Sequence, residues 1–180
     1  MGIHNLQELV GAISPKKRIG QFSQQSGIPR EYLEILIRQT KIYTPQPVAL
    51  KDFPGVDTRH IALLAKLGIH NTRQLFAQAG SDADQAALSA GSSVPQAALV
   101  ELVQLSDLVR AGWVGPIFAS LFIDAGVKSI QVLAEQAPQT LFERLCLINK
   151  TKNLTKASFT VKDVAACIEI ARMLPIAKEL

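Results

Sequence analysis

The residues able to do acid–base, nucleophilic or metal chemistry are few, and their spacing assembles no reaction. The 180-residue chain carries three histidines, His4, His60 and His70, and two cysteines, Cys146 and Cys167. His4 and His70 fall at equivalent places in an internal repeat, each beside a helix cap, which is a structural role. Asp52, Asp57, Asp107 and Asp124 form no paired-carboxylate motif. The chain has no His-Glu-x-x-His helix, no phosphate-cradling glycine loop and no nucleophile elbow. Two cysteines without ligand spacing make neither a disulfide framework nor a metal site. The expectation is a non-enzyme that needs no metal or cofactor, in the reducing cytoplasm.

Charge is the remaining chemistry, and it is uneven. The net charge is +4. Residues 1–80 hold ten Lys/Arg against five Asp/Glu, residues 81–140 two against six, and residues 141–180 seven against four. A polyanion would be drawn to the two ends of the chain and not to its middle. Lys16, Lys17 and Arg18 follow Ser14-Pro15 in an expected first helical turn, and Lys150, Lys152 and Lys156 sit in a loop-like stretch. Each set is either a phosphate contact or a solvated face.

These residues must be positioned by helices, because no stretch shows a sustained period of two. Leu33, Leu36, Ile37 and Thr40 share one face of a helix over about 29–42. Further helices are expected over 58–67 and 116–125, and Thr160 caps a last one striped by Val161, Val164, Ala165, Ile168 and Ala171. Gly68 and Gly126 suit the left-handed residue that ends a helix. Asn71 and Ser129 are N-caps for the next one, and Gln74 and Glu8 stand where a capping box wants Glu or Gln. Pro29, Pro95, Pro116 and Pro138 fit the first helical position. About half the residues are apolar, yet no apolar run approaches the roughly 20 needed to span a membrane, and the N-terminus lacks a secretory layout.

The same marks recur along the chain. An offset of 66 maps Ile28-Pro29 onto Val94-Pro95 and Gly2-Ile3-His4-Asn5 onto an identical Gly68-Ile69-His70-Asn71. An offset of 58 maps Val56, Leu64, Gly68, Asn71 and Leu75 onto Val114, Phe122, Gly126, Ser129 and Leu133. The difference of eight marks an insertion around Tyr43-Thr44-Pro45-Gln46-Pro47, a spacer or a second contact surface. The chain reads as two near-complete units and a leading fragment, divided into 1–80 and 81–180.

Val48 to Asp57, followed by Ile61, Leu64, Leu67-Gly68-Ile69 and Leu75, resembles a helix-hairpin-helix motif, and Leu108 to Gly126 repeats the arrangement. Residues from about 19 to 175 resemble the bacterial domain-of-unknown-function family 4332, through Gly27-Ile28-Pro29, Asp107-Leu108 and the stretch from Leu141 to Asn149. The family resemblance brings a fold and no activity, and with the motif it implies an all-α fold of tandem helix-hairpin-helix repeats. The helix-hairpin-helix resemblance implies sequence-independent binding of DNA or another nucleic acid, with backbone N–H groups of a glycine turn approaching phosphate. On that reading Lys51, Gly55, Val56, Arg59 and Lys66 of the first turn meet the nucleic acid. Asp57, standing where a second glycine is expected, would compete for the same N–H groups. The second turn carries Trp113 in place of the first glycine, with Arg110 its one nearby cation. Its Trp113, Val114, Ile117 and Phe118 instead suit a protein partner, the alternative function.

Overall fold

Side chains that accept backbone N–H groups start five of the described helices, at Asp57, Asn71, Ser81, Ser129 and Thr160. The structure, a computed structural model, describes residues 6–13, 17–40 and 46–174. Every regular element among them is helical, and the only extended pairing is an isolated bridge between Ala49 and Asn71. The chain divides into two compact units, Met1–Pro45 and Gln46–Leu180. That division falls within the proline-containing insertion, and residues 80 and 81 lie inside the second unit.

The first unit is a three-helix bundle of α1 (Leu6–Ile13), α2 (Lys17–Ser26) and α3 (Arg30–Thr40). Ile13, Ile19, Phe22 and Leu33 form its core, with Ile28 and Ile37 packed against it. Gly27 ends α2 at φ 72°. There the Ser23 hydroxyl donates to the Ile28 carbonyl at 2.7 Å, and the Ile28 N–H donates to the Ser26 hydroxyl. Pro29 precedes α3 rather than opening it, its carbonyl accepting from Leu33 N–H. Asn5, and with it the expected cap answered by Glu8, lies outside the described residues, as does His4.

The second unit holds a 3-10 turn (Leu50–Asp52), α4 (Thr58–Lys66), α5 (Thr72–Ala79), α6 (Asp82–Ser92) and α7 (Gln96–Leu108). It continues with α8 (Pro116–Asp124), α9 (Ile130–Ala134), α10 (Pro138–Lys152) and α11 (Val161–Met173). α5, α6 and α7 pack on one another, α7 meets α8, α8 meets α10, and α11 packs on both α9 and α10. Leu50, Leu64, Ile69, Leu75, Leu99, Leu102, Leu105, Leu108 and Phe122 are fully enclosed. Each such side chain contributes about 1.5–3 kcal/mol relative to exposure. Asn71 and Ser129 accept the Gln74 and Val132 N–H groups as caps of α5 and α9. Thr160 and Asp163 form a reciprocal capping box on α11.

Local geometry recurs at the spacings of the sequence. Gly68 and Gly126 take φ 79° and 80°. Ile69 N–H donates to Leu64 O and Val127 N–H to Phe122 O, the same bond 58 residues on. The α2–α3 turn reappears between α6 and α7, where Ser93 stands at φ 61° and the Ser89 hydroxyl donates to Val94 O at 2.7 Å. A third turn of this kind joins α10 to α11. There Asn153 takes φ 49°, and the Asn149 amide both donates to Thr155 O and accepts from Thr155 N–H.

Three local expectations are corrected. Pro95 caps α7 instead of opening it, whereas Pro116 and Pro138 do occupy the first turn of their helices. Gln74 reaches past Asn71 and accepts the His70 N–H at 2.9 Å, so the capping box is not closed. Lys150 and Lys152 lie in the last turn of α10 and not in a loop, because the helix continues until Asn153 turns left-handed.

Candidate binding site at the second turn

The two turns that precede α4 and α8 share a left-handed residue at equivalent positions and have opposite chemistry. At the first, Gly55 is exposed at φ 80°. Asp57 caps α4, its carboxylate accepting the Arg59 N–H at 2.8 Å. The Arg59 guanidinium folds back onto the same carboxylate, with Nη2 donating at 2.6 Å and Nε at 3.1 Å. These bonds from the side chain and then the backbone of Arg59 hold the Asp57 carboxyl at about 2, well below the usual carboxylate range. The helix N-terminus therefore carries its own anion, and Arg59 its own counter-ion. Lys51 and Lys66 are exposed and Val56 is half-buried. Lys66 stands at the far end of α4, roughly 10 Å along the axis from Arg59 at 1.5 Å per residue. The five first-turn residues thus do not converge on a single point.

At the second turn Trp113 takes the place of Gly55. It adopts φ 74° and leaves 64% of its surface exposed. Gly115 precedes α8 without any side-chain cap, and Pro116 opens the helix. Ile117 is exposed and Phe118 half-buried, but Val114 is buried in the core and does not belong to an exposed apolar face. The reason is the corner itself: turning the chain at Trp113 sends the next side chain inward, where Leu108 and Ala111 are also buried.

Beneath this turn lies a buried charge pair. Arg110 is only 5% exposed and donates from Nη1 to Asp107 Oδ1 at 2.7 Å. The other Asp107 oxygen accepts the Ile130 N–H at 2.7 Å. In the first turn the corresponding N–H, that of Thr72, donates to the backbone carbonyl of Val48. A carboxylate has replaced a carbonyl, and Arg110 balances its charge. Arg110 is thus a structural ion and not a contact for phosphate.

Beside Trp113 is a cavity of about 190 Å³, walled by Trp113, Phe118, Phe159 and Cys167, with Ser158 and Asp163 as its polar side. Phe118 and Phe159 meet edge to face with centroids 5.2 Å apart, and Phe142 packs on Phe159 at 5.6 Å. Burial, with help from the Asp163 carboxylate, pushes the Cys167 thiol up to about 11, so it is neutral. The Thr160 hydroxyl and backbone N–H hold the Asp163 carboxyl below its usual range.

A family model described as a domain of unknown function, DUF4332, matches residues 54–174. The chain belongs to this family. The DUF4332 match opens within the first turn and closes at the end of α11, so it takes in both turns and the cavity. It is shorter than the resemblance read from the sequence, which began near residue 19. No curated protein and no solved structure matches the chain.

The remaining basic residues of this DUF4332 protein are dispersed. Lys16 lies outside the described residues, and Lys17 and Arg18 open α2 of the first unit, with Arg18 exposed. Lys152 pairs with Asp124 at 2.6 Å, while Lys150 and Lys156 are exposed. Among the described residues no group of three His, Cys, Asp or Glu is placed to hold a metal, and no helix is long and apolar enough to cross a membrane. Sequence reading missed Phe159, Cys167 and Asp163 as neighbours of Trp113. They lie 46 or more positions away along the chain, and the only local signal was the cap Thr160.

Proposed function

We propose that this protein is a non-catalytic binding module of tandem helix-hairpin-helix units whose second turn docks a protein partner. The observation that supports this reading is Trp113, a bulky aromatic at φ 74° that remains 64% exposed. A non-glycine side chain in the left-handed region costs of order 1–3 kcal/mol and persists where function uses it. Displaying a large ring at such a corner wins little burial in return. Ile117, four residues on, is exposed as well, and exposed apolar side chains gathered in a patch mark partners. The test is a photocrosslinking amino acid at position 113 in cells, with exposed Leu147 as the control position. One discrete adduct specific to position 113 is expected, and identical adduct patterns at both positions would defeat the reading.

A second reading keeps nucleic acid as the partner, bound through the first turn. Gly55, bare and left-handed, with exposed Lys51 and Lys66, favours it. The Asp57 carboxylate weighs against it, because it occupies the Arg59 N–H and guanidinium that a phosphate would take. Fluorescence polarisation with duplex DNA at low salt decides. Binding that steepens as salt falls and is weakened by Lys51→Glu with Lys66→Glu supports it; no binding at tens of micromolar protein removes it. The free thiols of Cys146 and Cys167 fit a reducing, cytoplasmic setting for either partner.

A further inference from the structure

We propose that the cavity beside Trp113 binds the head of a small quaternary ammonium compound, seated against Trp113, Phe118 and Phe159 with Asp163 as counter-ion. Three features of the cavity select that chemistry. Its walls are aromatic, with Phe118 and Phe159 meeting edge to face at an interplanar angle of 89° beside Trp113. The exposed indole of Trp113 supplies a third ring, and indole is the strongest of the aromatic side chains in attracting a cation to its face. The formal charge on the lining is negative, since Asp163 is its only ionised group and Cys167 stays a neutral thiol.

Size narrows the ligand further. The cavity, about 190 Å³, is below the roughly 300–1,000 Å³ of sites for drug-sized molecules. It takes a compact head group and not an extended ligand. A methylated ammonium suits it better than a bare one, because its charge is spread over apolar methyl groups that give up little water on entering an aromatic wall. Asp163 is exposed, and its Oδ2 accepts the Thr160 N–H and hydroxyl, so a cation would meet a carboxylate already fixed in place. An anion would face that carboxylate directly. The proposal shares Trp113 with the docking face described above but does not depend on a protein partner.

Trp113 is the sole tryptophan of the chain, so its fluorescence reports the site without labelling. The full chain is titrated with choline, with 3,3-dimethyl-1-butanol as its neutral isostere and with sodium chloride to match ionic strength. A saturable change with choline is expected, with the isostere weaker by about threefold, the scale of a cation–π contact at a partly exposed site. Phe159→Leu should weaken choline by about fivefold or more while the Trp113 reporter is retained. Asp163→Asn, which keeps the side chain's shape at the helix cap, should also weaken it. Choline should in addition slow alkylation of Cys167 in a Cys146→Ser background, a readout independent of the indole. Equal binding of the isostere overturns the proposal, as does the absence of saturation at tens of millimolar choline. Binding of a trimethyl-lysine peptide but not of choline also overturns it, because the cation would then belong to a protein partner. The crosslinking result at position 113 stands or falls separately from all of these.

Discussion

Asp107 and Ile130 lie 23 positions apart, and one carboxylate oxygen of the first accepts the backbone N–H of the second at 2.7 Å. The other oxygen holds buried Arg110. This bond ties the end of α7 to the start of α9 across the whole of α8. Asp107→Ala is expected to destabilise the protein by about 3–5 kcal/mol, the range for removing one member of a buried ion pair. Asp107→Asn, which keeps an acceptor, should cost less. Urea unfolding followed by circular dichroism measures both, and a loss below about 1 kcal/mol for Asp107→Ala would show the staple to be dispensable.

Trp113 and Gly55 offer a cleaner comparison. Because position 113 is left-handed, Trp113→Gly should be more stable than Trp113→Ala by about 1 kcal/mol, the cost of a Cβ in that region. At a helical position the order would be reversed. Thermal unfolding by circular dichroism reads the difference, since both variants lack the only indole.

Acid stability should report the Asp57–Arg59 contact. The folded carboxyl, at about 2, lies below its ordinary 3.8. Protonation therefore favours the unfolded chain. The stabilisation is complete above about pH 4 and is lost as pH falls through about 2. Asp57→Asn should flatten the stability profile in that window and leave it unchanged at neutral pH apart from a constant offset. An unaltered acid limb in the variant would mean that the contact contributes nothing.

The two thiols should separate kinetically. Cys146 is exposed on α10, whereas Cys167 is buried and its pKa is raised from 9.0 to about 11. With a thiol-specific reagent at pH 8, one equivalent should react rapidly. The second should lag behind it, because burial limits access to the Cys167 thiol and suppresses its thiolate. In denaturing urea both should react together.

The helices were legible because their punctuation is local. Gly68, Gly126, Asn71, Ser129 and Thr160 act on atoms within a few residues, so residue type and spacing were enough to assign them. The Asn149–Thr155 turn escaped because asparagine performs there what serine does in the two earlier turns, and side-chain identity hid a shared bond pattern. The buried Asp107–Arg110 pair escaped for a different reason. Nothing local pairs these two residues with a buried donor, and only the Ile130 N–H, brought in from 23 positions away, makes their burial sensible. Arg59 was visible as a cation, but its fold-back onto Asp57 is a rotamer choice that sequence does not encode. The cavity was illegible because its walls come from α8, the α10–α11 connection and α11, which only tertiary packing assembles.

A Cβ built at Gly55 would meet nothing within 4 Å, so the first corner has room for a side chain like the one its counterpart carries. The two tips differ in backbone strain and in their caps, while the enclosed leucines and Phe122 beneath them set the shared frame. Were both proposed partners to bind, one at each tip, a second ligand tethered to the first would meet its tip at an effective concentration of order millimolar. Weak contacts at each tip would then suffice for a durable assembly.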